Sequence, residues 1–304
     1  MIWAIAQCAP LPITRKFALL SYRHSFHAGN YADVLKHLIC VEIFEHFLKK
    51  EKPFEYIDTH SGAGMYSINS DQAQKLKEYA GGIGLIKPSE FPELNNYFEV
   101  IQKAQKTGFY SNLNLKNLDF YPGSPWIAKQ FLRPIDRSWL FELHPEDYKF
   151  LCKNVSPSKK NRVQDINGYD GLKQLIPVQS KRCFVLIDPS YEVKTEYDQV
   201  VSSVVDAYKK FNAGTYVIWY PVVERERILR MERRLKSGGV KNIQRFELAV
   251  NIDDTQDGMN ASGMIVVNPP WTLFKKMQLL LPKLADAVGQ NGKGGFKCDV
   301  WAAE

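Results

Sequence analysis

The sequence predicts an α/β protein built on a mostly parallel, seven-stranded sheet whose last strand is antiparallel, with a helical subdomain inserted into it. Three observations predict this. Residues 183–187, CFVLI, are continuously apolar rather than alternating, as expected of a central strand covered by helices on both faces. Strand-like runs at 54–58, 139–143, 162–166 and 215–220 are separated by segments of helical period, the pattern of successive βαβ units. Residues 65–121 break that rhythm with polar, helix-compatible runs punctuated by Gly81-Gly82-Ile83-Gly84, Pro88 and Pro92, a span too long for a simple connection.

Taken in order, residues 1–19 have an apolar run of only about a dozen residues, interrupted by Pro10 and Pro12 and without a charged start. That is too short for a membrane span and a poor signal peptide, so a loosely ordered extension is expected. Residues 20–37 lead into the first helix, with Asn30 as its N-cap, Asp33 in its first turn and Val34, Leu35, Leu38, Ile39, Phe44 and Phe47 on one face. Tyr22, Arg23, His24 and His27 form a polar and aromatic cluster before it, suited to capping or to presenting Tyr22 and Arg23 to a nucleic acid. The first strand, 54–58, runs into Thr59-His60-Ser61-Gly62-Ala63-Gly64, where glycines let the backbone approach a ligand. A dinucleotide site would need a third glycine and an acid roughly 20 residues on. Neither is present, and the loop instead favours S-adenosylmethionine.

The sheet resumes beyond the insert. Ser124 is placed as N-cap and Pro125 at the first position of the next helix. Glu142 closes the second strand, where its carboxylate suits two ribose hydroxyls, and Asn167-Gly168 close the third. A helix over 196–211, a strand over 215–220 and an arginine-rich helix over 224–236 follow Asp188. Glutamates interleave with those arginines, which marks a solvated face. Residues 244–250 and 264–267 read as a closing antiparallel pair joined by an acidic loop on the crevice side. Asn268-Pro269-Pro270-Trp271 therefore ends an antiparallel strand, points away from the crevice and reads as an exit turn.

Composition bounds the partners. At 304 residues the chain is long enough for one α/β domain plus an insertion: 20–64 with 122–304 as the sheet domain, and 65–121 as the inserted subdomain carrying Lys75, Lys77, Lys87, Lys103 and Lys106. Forty basic against thirty-three acidic residues give +7, which suits an anionic partner. Five cysteines, Cys8, Cys40, Cys152, Cys183 and Cys298, are scattered without a C-x-x-C pair, pointing to a reducing cytoplasm. The histidines concentrated between His24 and His60 lack the spacing that completes a tetrahedral site, so no metal is expected, nor a membrane or an obligate protein partner.

Asp188 falls at the carboxyl end of the central strand, where ligands bind in open α/β sheets. Asp188-Pro189-Ser190-Tyr191 resembles the Asp-Pro-Pro-Tyr signature of methyltransferases acting on exocyclic amines. The chemistry explains the residue types. An adenine amine is a poor nucleophile because its lone pair is delocalised into the ring, and two acceptors, the Asp188 carboxylate and the Pro189 carbonyl, can hold it by its hydrogens. Tyr191 offers a face on which an extruded base stacks.

Taken together, YRHSFHAGNYADVLKH, DTHSGAG, YPGSP, ELHP, DPSYEVKTEY, GTYVIWYPVV and ASGMIVVNPPW resemble the RlmJ family of bacterial 23S ribosomal RNA adenine-N6 methyltransferases, in order and across nearly the whole chain. The resemblance implies a Rossmann-like class I methyltransferase that uses S-adenosylmethionine to methylate the 6-amino group of one adenine in 23S rRNA. Carried over by motif, His37, His60, Ser124, Glu142, Asn167 and Gly168 would contact the cofactor beside Gly62 and Gly64. Asp188 would be the catalytic acceptor, also bordering the cofactor, and Tyr22 would touch the RNA, with Arg23 and Tyr191. Two positions depart from the pattern: Asn167 stands for an aspartate, and Ser190 for the second proline. The same acceptor pair also fits a DNA adenine or a protein glutamine amide, and a non-catalytic RNA-binding relative would share the fold.

Overall fold

The computed structural model describes residues 22–105, 118–251, 259 and 261–304, so the expected N-terminal extension and Lys106 lie outside the described residues. Asn30 caps α1 (Tyr31–Leu48), its side chain accepting from the Asp33 amide. The cap was legible; the burial was not. The helix is buried nearly all round, with Ala32, Lys36, Cys40 and Val41 enclosed as well as the expected face.

β1 (Glu55–Asp58) leads to the insert, which contains β2 (Met65–Ser67), α2 (Asp71–Leu76), α3 (Asn95–Ala104) and β3 (Phe120–Pro122), with β2 and β3 paired antiparallel. Then come α4 (Ser124–Phe131), β4 (Arg137–Phe141), α5 (Pro145–Val155), β5 (Asn161–Gln164) and α6 (Gly168–Leu175). β6 (Cys183–Ile187), α7 (Glu196–Lys210), β7 (Thr215–Val222) and α8 (Arg225–Ser237) complete the alternation. β8 (Ile243–Ala249), β9 (Ala261–Val267), α9 (Leu273–Val288) and β10 (Gly295–Ala302) close the chain.

The main sheet runs β5-β4-β1-β6-β7-β9-β8-β10. β5, β4, β1, β6 and β7 are mutually parallel, and β9 is antiparallel to both of its neighbours, as expected. The expected seven strands are joined by an eighth: β10 pairs antiparallel along β8 and becomes the edge. The sheet separates two cores. Phe184 and Leu186 of β6 face one with α1, the insert and α9, while Cys183, Val185 and Ile187 face the other with α6, α7 and α8. That is why the run is apolar without alternation. The insert shares the first core: Ile83, Phe91, Tyr97 and Ile101 pack in it with Leu38 and Phe44.

One local expectation changes. The cap of α4 is Gly123, not Ser124, whose hydroxyl instead donates to Asp58 Oδ2 at 2.7 Å. Asn268 is an exit turn at the sheet's far end. It adopts φ 50° and its amide donates to the carbonyls of Asn212 and Gly214, leaving Trp271 80% exposed.

Candidate active site

The loops leaving β1, β4, β5, β6 and β7 surround a cleft of about 460 Å³, roofed by the segment from Tyr22 to His37. This is the carboxyl edge of the parallel strands, so the topology itself collects Ser61 and Gly62, Glu142, Asn167 and Gly168, and Asp188 to Tyr191 around one space.

A chain of buried charges runs along the roof. Lys36 donates to Asp188 Oδ2 at 2.7 Å and lies 2.8 Å from Asp33 Oδ1, with 5% of its side chain exposed. Burial disfavours its charge, yet Asp188 and Asp33 outweigh this and raise its pKa well above the lysine range. Burial likewise opposes ionisation of Asp33, but His24 and Lys36 hold its carboxyl well below the usual range. Asp33 Oδ2 also accepts from the Gly29 amide and from His24 Nε2, both at 2.9 Å. The Tyr22 hydroxyl lies 2.9 Å from His24 Nδ1, and Tyr22 stacks on His27 at 5.4 Å.

The opposite wall is shaped for a polar small molecule. Glu142 Oε2 accepts from the Gly62 amide at 2.7 Å and Oε1 from the His144 amide at 2.6 Å. Burial, only partly countered by those two amides, pushes its carboxyl up to about 7. Gly62 adopts φ 60°, the left-handed region. At Gly168 a Cβ would stand 1.9 Å from the Thr59 carbonyl oxygen, so only glycine lets the β1 and β5 loops meet. Burial lowers the pKa of His60 to about 3, and its ring meets Tyr169 edge-on at 5.0 Å. Asn167 caps α6, its Oδ1 accepting from the Tyr169 amide at 2.9 Å and keeping a second lone pair. Four buried polar atoms of the cleft residues have no hydrogen-bond partner among the described residues: His37 Nε2, the Tyr169 hydroxyl, Glu196 Oε2 and Trp219 Nε1.

The structure thus brings Tyr22, His37, His60, Gly62, Ser124, Glu142, Asn167, Gly168, Asp188, Pro189 and Tyr191 to one cleft. Tyr191 adopts φ 55°; its hydroxyl donates to the Trp219 carbonyl at 2.7 Å and its ring packs on Tyr197 at 4.4 Å, so much of it is committed to packing. Two residues stand apart. Arg23 is not on the cleft wall and pairs with Glu146 at 2.6 Å and Asp147 at 3.5 Å. Gly64 lies behind the loop, its carbonyl accepting from the Gly123 amide at 2.9 Å. Sequence reasoning missed Lys36, Asp33 and Trp219. The signal for the first two was three polar residues at i, i+3 and i+4, Asp33, Lys36 and His37, inside the otherwise apolar first turns of the helix.

Among the described residues no group of three or more His, Cys, Asp or Glu could hold a metal ion, and no helix is long and apolar enough to cross a membrane.

Comparison with known proteins is consistent across the chain. A family model described as "RsmJ: Ribosomal RNA large subunit methyltransferase D, RlmJ" matches residues 51–303. Two curated relatives, each named Ribosomal RNA large subunit methyltransferase J, are 45% identical to this chain. One, from Haemophilus influenzae, aligns over 280 residues, 91% of this chain and 97% of its own. The other, from Escherichia coli K12, aligns over 278 residues, 91% and 96%. A crystal structure of a Legionella pneumophila protein, 34% identical, superposes with a TM-score of 0.79 over 90% of this chain and 98% of that one.

Proposed function

The chain belongs to the RlmJ family of ribosomal RNA large subunit methyltransferases, and from that premise we propose that it methylates the exocyclic 6-amino group of one adenine in 23S rRNA, in the cytoplasm, with Asp188 and Pro189 as the groups that hold the amine. The observation that carries the reading is the place of Asp188. It sits at the end of the central strand, on the cleft wall, with Oδ2 taken by Lys36. Oδ1 is then the carboxylate oxygen left for an N–H of the amine, and the Pro189 carbonyl accepts from the second. Held by both hydrogens, the nitrogen turns its lone pair out of conjugation and toward the other side of the cleft. Tyr191 and Trp219 give the aromatic wall against which an unstacked base rests.

S-adenosylmethionine, when bound, supplies an electrophilic methyl group on a sulfonium. The residues fit it. The cleft has the volume of a small-molecule site, and its wall carries buried polar atoms still lacking a partner, His37 Nε2 and the Tyr169 hydroxyl among them. Glu142, fixed by two backbone amides, would accept from the ribose hydroxyls. Asn167 and Gly168 would border the adenine, with His60 and the Gly62 loop along the amino-acid end. Ser124 would act from below, through Asp58, which takes hydrogen bonds from Ser124, Tyr56 and the His60 amide. Tyr22 closes the roof from the side on which RNA would enter.

The test is transfer of labelled methyl from S-adenosylmethionine to protein-free 23S rRNA, followed by nucleoside analysis, with DNA and ribosomal protein as parallel acceptors. N6-methyladenosine in the RNA alone is the expected result. Label in DNA or protein instead of RNA would overturn the reading.

A further inference from the structure

The insert reaches the cleft through a chain of hydroxyls. Tyr97 of α3 and Tyr121 of β3 hold their phenolic oxygens 2.9 Å apart, and the Tyr121 oxygen lies 2.9 Å from His37 Nδ1 on α1. All three side chains are buried, with 1%, 0% and 1% of their surface exposed. Beyond the imidazole the chain stops. Among the described residues Nε2 has no hydrogen-bond partner, and Asp33 Oδ1 at 4.0 Å is beyond reach.

The direction of the protons follows from counting donors and acceptors. Burial keeps His37 neutral, its pKa pushed down to about 3, so one ring nitrogen carries a hydrogen. With that hydrogen on Nδ1, Tyr121 would receive it and donate to Tyr97, and the Tyr97 hydroxyl proton would be stranded in the core with no acceptor among the described residues. In the opposite direction Tyr97 donates to Tyr121, Tyr121 donates to Nδ1, and every hydroxyl proton is used. Nε2 is then an N–H donor on the cleft wall.

We propose that Tyr97 and Tyr121 are positioning residues that lock His37 as its Nε2–H tautomer, so that it presents a donor to the amino-acid carboxylate of the cofactor. The carboxylate is the matching group because the cofactor's ammonium offers only donors. A neutral N–H also avoids the desolvation that a buried imidazolium would carry. This rests on the S-adenosylmethionine reading above. It gives the insert a part in cofactor binding, delivered through Tyr97.

The test reads the tautomer and the affinity separately. In ¹⁵N NMR of the free protein, His37 should show a protonated Nε2 and an unprotonated Nδ1. Calorimetry with S-adenosylhomocysteine should show Kd raised roughly tenfold or more in Tyr121→Phe and roughly twofold to fivefold in Tyr97→Phe. His37→Gln supplies an amide N–H near the Nε2 position whatever Tyr121 does, so in that background the Tyr121→Phe loss should shrink below about twofold. A protonated Nδ1 in the unmutated protein overturns the proposal, as does an equal Tyr121→Phe loss in both backgrounds, which is the mark of a merely structural tyrosine. Should Tyr121→Phe fail to fold, Tyr97→Phe decides by the same two readouts. A protein that binds no cofactor would sink the functional reading instead, while the tautomer of the free protein would still be measured on its own.

Discussion

Asp188 meets Lys36 before it meets any substrate, so its two carboxylate oxygens are already unequal. Replacing it removes the acceptor rather than merely loosening it, and Asp188→Ala should slow single-turnover methyl transfer, measured at saturating cofactor, at least about a hundredfold. Glu142 leads to a different measurement. Its carboxyl titrates near 7 in the folded chain against an ordinary value of 4.5, so between those limits the native state holds a proton that the unfolded state has lost. The cofactor-free protein should therefore lose stability as pH rises through that window. Affinity for S-adenosylhomocysteine should rise from pH 6 to 8 and level off above, because ribose hydroxyls bind the ionised carboxylate better. Glu142→Gln should flatten both profiles, and an unchanged slope in thermal melts and calorimetry would reject the assignment. Asp188 and Glu142 were legible because strand ends announce themselves. Lys36 and Asp33 were not, since a charge inside an apolar helix looks like an interruption until its partners from distant segments are seen.

At the scale of elements, α1 holds Asp33, Lys36 and His37 in register, and its start depends on Asn30, which caps the Asp33 amide and donates to Glu78 Oε2 at 2.9 Å. Asn30→Ala should cost about 1–2 kcal/mol in urea unfolding, with a further loss of turnover because the first turn carries Asp33. Stability and rate both unaltered would show that the packing alone sets the helix's register. The alternation of strands and helices through β7 was readable because each apolar run ends at a turn signal. The last two elements were not. Pro282 lies inside α9, and a proline within a periodic apolar run reads as a break. β10 follows Gly289, Gly292 and Gly294 and buries only Trp301, so it lacks the buried pattern that reveals a strand. Ser124 was misread for a simpler reason: a serine before a proline suits a cap, and only the third dimension shows Asp58 within its reach.

For the whole molecule, the excess of basic residues does not reside in the arginine-rich helix. Arg225, Arg227, Arg230, Arg233 and Arg234 of α8 pair with Glu247, Glu224, Asp198, Glu226 and Asp198 respectively, so that face is close to neutral, as the interleaved glutamates suggested. Replacing Arg230 and Arg233 together by alanine should change rRNA affinity by less than about twofold at physiological salt, and stability by less than about 1 kcal/mol. A steep loss of affinity in filter binding would place α8 on the RNA. Fold class and cleft were legible because a parallel sheet gathers its loops on one edge whatever the helices do. The shared core of insert and sheet domain was not, because sequence distance hides it. α1 is made before α3, β8, β9 and α9, which cover it. The helix that carries Asp33, Lys36 and His37 thus stays uncovered until those later segments have formed, and a nascent fragment lacking them has no assembled site. The roof of the site is thus written early in the chain and clasped by segments written late.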